Sequence, residues 1–230
     1  MKLDENSVTV KNCVIQDDMM YNEEIVLTYK IEYPQFSSKY YEKSLKTINK
    51  YYLNKAIEID KYYRNELYKS AVEQYIYSKQ NNFPIRVYEG LVQYQVTYNM
   101  ACIISLFFDN YMYLGGAHGN TVRTSETWNL QTNSRIKLSE LFECSLDYNT
   151  YVLNQINEEI KKDQDIYFED YEKLVAETFN RYNFYCIAKG IVIYFQQYDI
   201  APYSSGIREF LIPYTDCVTN PYKMCSIKFE

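Results

Sequence analysis

One apolar stripe runs from about Ser37 to Gln80. Tyr41, Leu45, Ile48, Tyr52, Ala56, Ile59, Tyr63 and Leu67 recur every three or four positions. A repeat of about 3.7 residues describes one face of a long amphipathic helix. Such a face needs an apolar partner. The repeat exceeds the 3.5 of a supercoiled pair, which argues for packing across a sheet rather than as a coiled coil. Asn81-Asn82-Phe83-Pro84 then breaks the pattern, because proline removes a donor and clashes with the preceding turn.

Strand patterns flank this helix. Val8–Gln16 and Glu24–Tyr33 read as a first pair, and Pro34 is expected to end the second strand. Within it Ile25, Leu27, Tyr29 and Ile31 alternate with Val26, Thr28 and Lys30, as in a half-buried strand. Ile85–Tyr98, Ala101–Leu114 and Thr121–Leu130 follow, with a turn at Asn99-Met100. They predict an antiparallel meander. Leu138–Phe142 reads as a helical turn, and Asn149–Lys162 as a second helix through Val152, Ile156 and Ile160. Phe184–Ile187, Ile191–Phe195 and Glu209–Ile212 read as closing strands. The unbroken apolar run Ile191–Phe195 predicts a central strand covered on both faces. The expected class is α+β: antiparallel sheet, with one long and one shorter helix packed against it.

The 230 residues suffice for a core without staples. Their 28 tyrosines against one tryptophan and six glycines are unusual. AT-rich codon usage accounts for the richness in Tyr, Lys, Asn and Ile; the functional alternative is a Tyr-rich recognition surface. Net charge is −6. Eleven acids between Glu140 and Glu177 face only Lys161, Lys162 and Lys173, a local net of −8. That field repels phosphates, which excludes nucleic acid as a partner, and attracts cations. No stretch reaches the ~18 apolar residues of a membrane span. Met1-Lys-Leu-Asp-Glu-Asn-Ser lacks the apolar core of a signal peptide, so the chain as written is expected in the cytoplasm.

Six cysteines (Cys13, Cys102, Cys144, Cys186, Cys217, Cys225) include no C-x-x-C. Cys102 and Cys186 sit in apolar runs and read as buried thiols. Free thiols are the expectation throughout, with Cys217–Cys225 as the pairing to consider if the chain is exported. With one histidine there is no metal-site spacing, and no metal or cofactor is expected.

Gly115-Gly116-Ala117-His118-Gly119 lacks the spacing of a phosphate loop. It reads as a tight connection between strands, with strain expected at Gly116 and Gly119. His118 lacks a sequence-adjacent nucleophile or co-ligand and reads as structural. Tyr198-Asp199-Ile200-Ala201-Pro202-Tyr203-Ser204-Ser205-Gly206 reads as a rigid loop, with Asp199 satisfying backbone amides. Its sharper reading is an exposed tyrosine loop that touches a partner. Glu126, Asp199 and Glu209 are the carboxylates that a glycosidase would need in a pair across a cleft; nothing in their spacing pairs them.

The Gly115–Gly119 segment, then Ala201-Pro202-Tyr203 with Gly206, then Ile212-Pro213-Tyr214, taken in this order, resemble one family. It comprises the lysozyme-sensing extracytoplasmic module of the anti-sigma factor RsiV and the non-catalytic N-terminal part of the peptidoglycan deacetylase PdaC. The resemblance covers nearly the whole chain, as half-modules 1–141 and 142–230 expected to form one compact unit. It implies a non-enzymatic binding or sensor module outside the cytoplasm. The implied ligand is lysozyme, another cationic cell-wall protein, or cell-wall polymer. The deacetylase chemistry belongs to a separate domain. Tyr198, Tyr203, Glu158 and Glu159 are the expected partner contacts. An anchorless intracellular protein with another partner and a glycan hydrolase are the alternatives.

Overall fold

The computed structural model describes residues 8–143 and 147–226. Cys144 and the leading segment before Val8 lie outside the described residues. The chain runs β1 (Thr9–Tyr21), β2 (Glu24–Ser37), α1 (Glu42–Tyr62), α2 (Tyr68–Gln80), β3 (Tyr88–Met100), β4 (Ile103–Tyr113), β5 (Asn120–Asn129) and β6 (Ser134–Arg135). Then come α3 (Tyr148–Ile160), α4 (Tyr171–Thr178), β7 (Phe184–Ile187), β8 (Gly190–Phe195) and β9 (Arg208–Pro213). Strands β1 to β6 are neighbours in chain order in one sheet, and β7-β8-β9 form another. The fold is α+β, as the pattern predicts.

Two compact units share these elements. One consists of Thr9–Tyr94 and Phe108–Val122; the other contains Gln95–Phe107 and the chain from Arg123 onward. Residues 95–107 and 123–141, part of the first half-module by sequence, therefore belong to the unit built by the C-terminal half.

In the first unit, α1 and α2 join through a π-helical turn at Tyr63–Leu67 into one helical run. Its buried apolar side chains are Leu45, Ile48, Tyr52, Ala56, Tyr63, Leu67, Ala71 and Tyr75. These continue the sequence stripe by two more turns, with Ile59 packed at its margin. The helix covers Leu27, Tyr29 and Ile31 of β2 and Tyr88 and Val92 of β3. Tyr63 is fully buried and its hydroxyl donates to Asn110 Oδ1 at 3.0 Å, as a buried phenol requires.

Three expectations need correction here. First, β2 and β3 pair in parallel, Leu27–Ile31 against Tyr88–Val92, so the sheet is not antiparallel throughout. A helix between two neighbouring strands returns the chain to its starting end, which makes the pair parallel. Second, Pro34 does not end β2; it pairs with Asn12 and the strand continues to Ser37. The parallel pairing stops at Ile31, so Pro34 has a strand on one side only, where a missing donor is tolerated. Third, the β3–β4 turn falls at Ala101-Cys102, with Ala101 at φ +53°.

In the second unit, α3 buries Val152, Ile156 and Ile160. Asp147 accepts the Thr150 amide at 3.1 Å as its N-cap. The central strand β8 is buried at every position, as its apolar run predicts. Helix α4 was not visible as a periodic pattern because only Tyr171 and Val175 are buried on it. Cys186 is a buried free thiol, pushed up to about 12 by burial. Cys102, by contrast, is disulfide-bonded to Cys225, and Cys217 is disulfide-bonded as well. The expectation of free thiols at these three positions is overturned. The turn holding Cys102 and the 3-10 turn Pro221–Met224 meet, leaving the two Cα atoms 5.7 Å apart. Among the described residues no helix is long and apolar enough to cross a membrane.

Candidate functional site

The glycine-rich loop between β4 and β5 gathers carbonyls rather than amides. Arg86 Nη1 donates to the carbonyls of Gly115, at 2.9 Å, and Gly116. The Tyr113 hydroxyl also donates to Gly116 O at 3.1 Å. A phosphate cradle presents backbone N–H groups; here the loop is tied to an arginine from inside its own unit. His118 is exposed, with Nδ1 3.0 Å from the Gly119 carbonyl.

The glycines are not equivalent. Gly115 has φ +75°, a region in which a Cβ is strained. A Cβ on Gly119 would fall 2.2 Å from the Tyr111 ring, whereas one on Gly116 meets nothing nearer than 3.9 Å. The strain expected at Gly116 therefore lies at Gly115. Gly115→Val and Gly119→Val should each lose about 1–3 kcal/mol in urea unfolding, while Gly116→Val and His118→Ala stay within about 0.5 kcal/mol. Equal losses at Gly115 and Gly116 would contradict this reading.

The Ala-Pro-Tyr loop lies in the other unit. Asp199 Oδ2 accepts the Gln196 backbone N–H at 2.7 Å, and burial raises its carboxyl pKa. Asp199 thus serves the backbone of its own turn. Ile200 and Ala201 are buried beneath the loop. Pro202 leads into a 3-10 turn, Tyr203–Ser205, and Gly206 leaves it at φ +65°. Tyr198 itself adopts φ +68° and is 53% exposed, with its ring centroid 5.7 Å from that of the half-buried Tyr203.

This loop is seated on the acidic stretch. The Phe168 amide donates to Ile200 O at 3.1 Å, and Ser205 Oγ donates to Ile166 O at 3.3 Å. Arg208 Nη2 donates to the Tyr167 hydroxyl at 3.0 Å. Asp163, Asp165, Glu169 and Asp170 are exposed on that same segment. Glu158 and Glu159 lie on the exposed side of α3, where Lys161 and Lys162 pair with them. The charge that sequence reasoning placed at those two residues is thus locally neutralised.

A cleft missed by sequence reasoning adjoins the Gln196 turn. Gln196 clamps Arg123 with both ends of its amide, Oε1 accepting the Arg123 N–H at 2.9 Å and Nε2 donating to its carbonyl at 2.7 Å. The Arg123 guanidinium lies 3.8 Å over the Phe107 ring and pairs with Glu209. Gln95, Thr97, Phe107, Tyr185 and Glu209 line, with Arg123, a cavity of about 430 Å³. These residues come from five strands, so no local motif announces them; only Glu209 stood out in the sequence.

The three hydrolase carboxylates have separate partners. Glu126 pairs with Arg135 at 3.5 Å, Glu209 with Arg123, and Asp199 with the Gln196 amide. Among the described residues no group of three His, Cys, Asp or Glu side chains is placed to hold a metal.

Residues 21–121 match the family model of Deacetylase PdaC, and residues 139–215 match Protein of unknown function (DUF3298). The peptidoglycan-N-acetylmuramic acid deacetylase PdaC of Bacillus subtilis (strain 168) is 23% identical over 206 residues. That alignment takes in 84% of this chain but 40% of the deacetylase, so this chain spans less than half of the relative's length. A DUF3298 family member from Bacteroides fragilis superimposes with a TM-score of 0.67 at 20% identity, covering 94% of this chain and 96% of that one. A DUF3298 family protein from Pseudomonas aeruginosa PAO1 gives 0.56 at 13% identity, with 92% of each chain covered. These two structures establish the fold.

Proposed function

We propose that this chain, a PdaC-type segment followed by a DUF3298-type segment, is a non-enzymatic recognition module for a basic protein of the cell envelope, with lysozyme as the first candidate. The observation that carries this reading is the pair of exposed Tyr198 and half-buried Tyr203, seated on the acidic 163–170 turn. Aromatic rings supply contact area at low entropic cost, and exposed acids steer a cationic partner. The Cys102–Cys225 bond supports an extracytoplasmic setting, since disulfides persist in oxidising compartments. Cell-wall polymer is the second ligand class, favoured by the peptidoglycan substrate in the relative's name. The hydrolase reading has less support, because its three carboxylates are each engaged elsewhere.

Surface-binding kinetics against a C-type lysozyme at several salt concentrations test the proposal. Charges at the surface are screened beyond about 8–10 Å at physiological salt. Association should slow as salt rises, and Asp165→Lys with Glu169→Lys should lower the on-rate. The paired Glu158 and Glu159 should matter less when reversed. Tyr203→Ala should mainly raise the off-rate. Absence of binding at low salt ends the lysozyme proposal, and indifference to both salt and charge reversal moves the interface elsewhere.

A further inference from the structure

We propose that β1 is a self-complementary edge through which two copies of this chain pair, strand against strand, about a two-fold axis at Val14. The inference is independent of the recognition reading, since β1 belongs to one unit and the Tyr198–Tyr203 loop to the other.

Among the described residues β1 closes one side of its sheet, with β2 as its neighbour. It is thirteen residues long and holds no proline. An edge strand offers its outward N–H and C=O groups to another strand unless it is short, covered or broken. The far end of β1 is broken. Its register against β2 shifts between Met19 and Met20. The Asp18 N–H donates to Asp17 Oδ1 at 2.9 Å, and the Met20 carbonyl accepts from the Tyr68 hydroxyl at 2.8 Å. Before that point the pairing with β2 is regular from Thr9 onward. Thr9–Asp17 is therefore the stretch that can take a further strand.

The residues of that stretch select a second copy as the occupant. A two-fold axis between antiparallel strands makes every cross-strand pair occur twice. With the axis at Val14, Val14 meets its own copy and Cys13 meets Ile15, so apolar groups face apolar groups. Asn12 meets Gln16, amide against amide, and Lys11 meets Asp17, opposite in charge. Backbone groups point outward at every second residue, so opposed residues differ by an even number and the axis falls on a residue. An axis at Cys13 would set Lys11 against Ile15, and one at Ile15 would set Cys13 against Asp17 and Lys11 against Met19. Of these three registers, only the one centred on Val14 matches every pair. The side chains are accessible: Lys11, Asn12 and Gln16 are exposed, and Val14 is 45% exposed. Asp17 already pairs with Arg64 at 2.7 Å, with both side chains at the surface, and a carboxylate accepts more than one donor. Charges on an edge ordinarily keep it solitary. Here they are placed symmetrically about Val14, where they favour one partner and one register.

The test is the oligomeric state of the full chain in solution, by sedimentation across a range of concentrations. A Cys13→Ser background excludes a covalent dimer through that free thiol. A one-strand interface is small, so a monomer–dimer equilibrium in the micromolar range is expected. Val14→Lys sets two ammonium groups face to face at an exposed position and should weaken the dimer by about tenfold or more. Lys11→Glu and Asp17→Lys should each weaken their own dimer, because like charges then oppose each other twice. An equimolar mixture of these two variants restores both opposite-charge pairs and should dimerise about as well as the parent. Melting curves confirm that each variant is folded; should Asp17→Lys fail to fold without its Arg64 contact, the Val14→Lys result decides. A parent that stays monomeric, a dimer indifferent to Val14→Lys, or a mixture of folded variants no tighter than its components overturns the inference.

Discussion

Replacing Cys102 and Cys225 together with serine should lower the free energy of unfolding by about 2–5 kcal/mol. The bond closes a loop with a sequence separation of 123 residues, and long loops lose the most entropy when closed. Native contacts that survive the change limit the damage. Tyr98 donates to Asn220 at 2.6 Å, and Gln131 exchanges two hydrogen bonds with the backbone of Ser226. The C-terminal turn should therefore stay docked in the folded state, with the loss appearing as a freer unfolded chain. Each kcal/mol is worth roughly 2–4 °C in melting temperature at this size. Urea unfolding of the variant and of the parent, each with and without dithiothreitol, separates the contributions. Reductant should cost the parent more than the variant, and any residual effect in the variant reports the bond at Cys217. A variant as stable as the parent would show that the turn contacts alone close the loop.

The same bond marks where the sequence stops being informative. Helical and strand periodicities record which face is buried, so the stripe from Leu45 to Leu67 and the run Ile191–Phe195 could be read directly. Pairing across 123 residues leaves no local trace; the nearer Cys217 looked the better partner for Cys225. Parallel pairing of β2 with β3 was implicit in the helix between them, but the alternation within each strand is the same for either direction. Asp199 could be read as a turn-capping residue because its partner is three positions away. Arg123 could not, because Gln196, Phe107 and Glu209 reach it from distant parts of the chain. Likewise, the net charge of 140–177 is visible as a sum, but α3 places Lys161 and Lys162 one turn from Glu158 and Glu159. Asp163, Asp165, Glu169 and Asp170 stand exposed next to the tyrosine loop.

Gly190→Ala should be among the most damaging single-methyl additions in the chain, with an expected cost of about 3 kcal/mol or more, at the upper end of overpacking. Gly190 opens β8, paired with Ile187 on one side and Pro213 on the other. A Cβ there would lie 2.3 Å from the Ile212 carbonyl oxygen and 2.9 Å from its carbonyl carbon. Those atoms are backbone and cannot rotate away. Moving them pulls β9 from β8 and disturbs Ile191 and Ile212, both almost completely buried. Two other glycines calibrate the effect. At Gly206 an added Cβ meets nothing within 4 Å, so alanine there pays only for its backbone, φ +65° with ψ −157°, a region essentially reserved for glycine, about 1–3 kcal/mol. At Gly119 the obstacle is the Tyr111 ring, a side chain that can swing aside. The expected loss in urea unfolding is largest for Gly190→Ala and smaller for Gly119→Ala and Gly206→Ala. Soluble yield should be lowest for Gly190→Ala. If Gly190→Ala unfolds with the parent's midpoint, β8 and β9 must have room to separate at this end. The close approach of their backbones would then not be the reason for a glycine at this position.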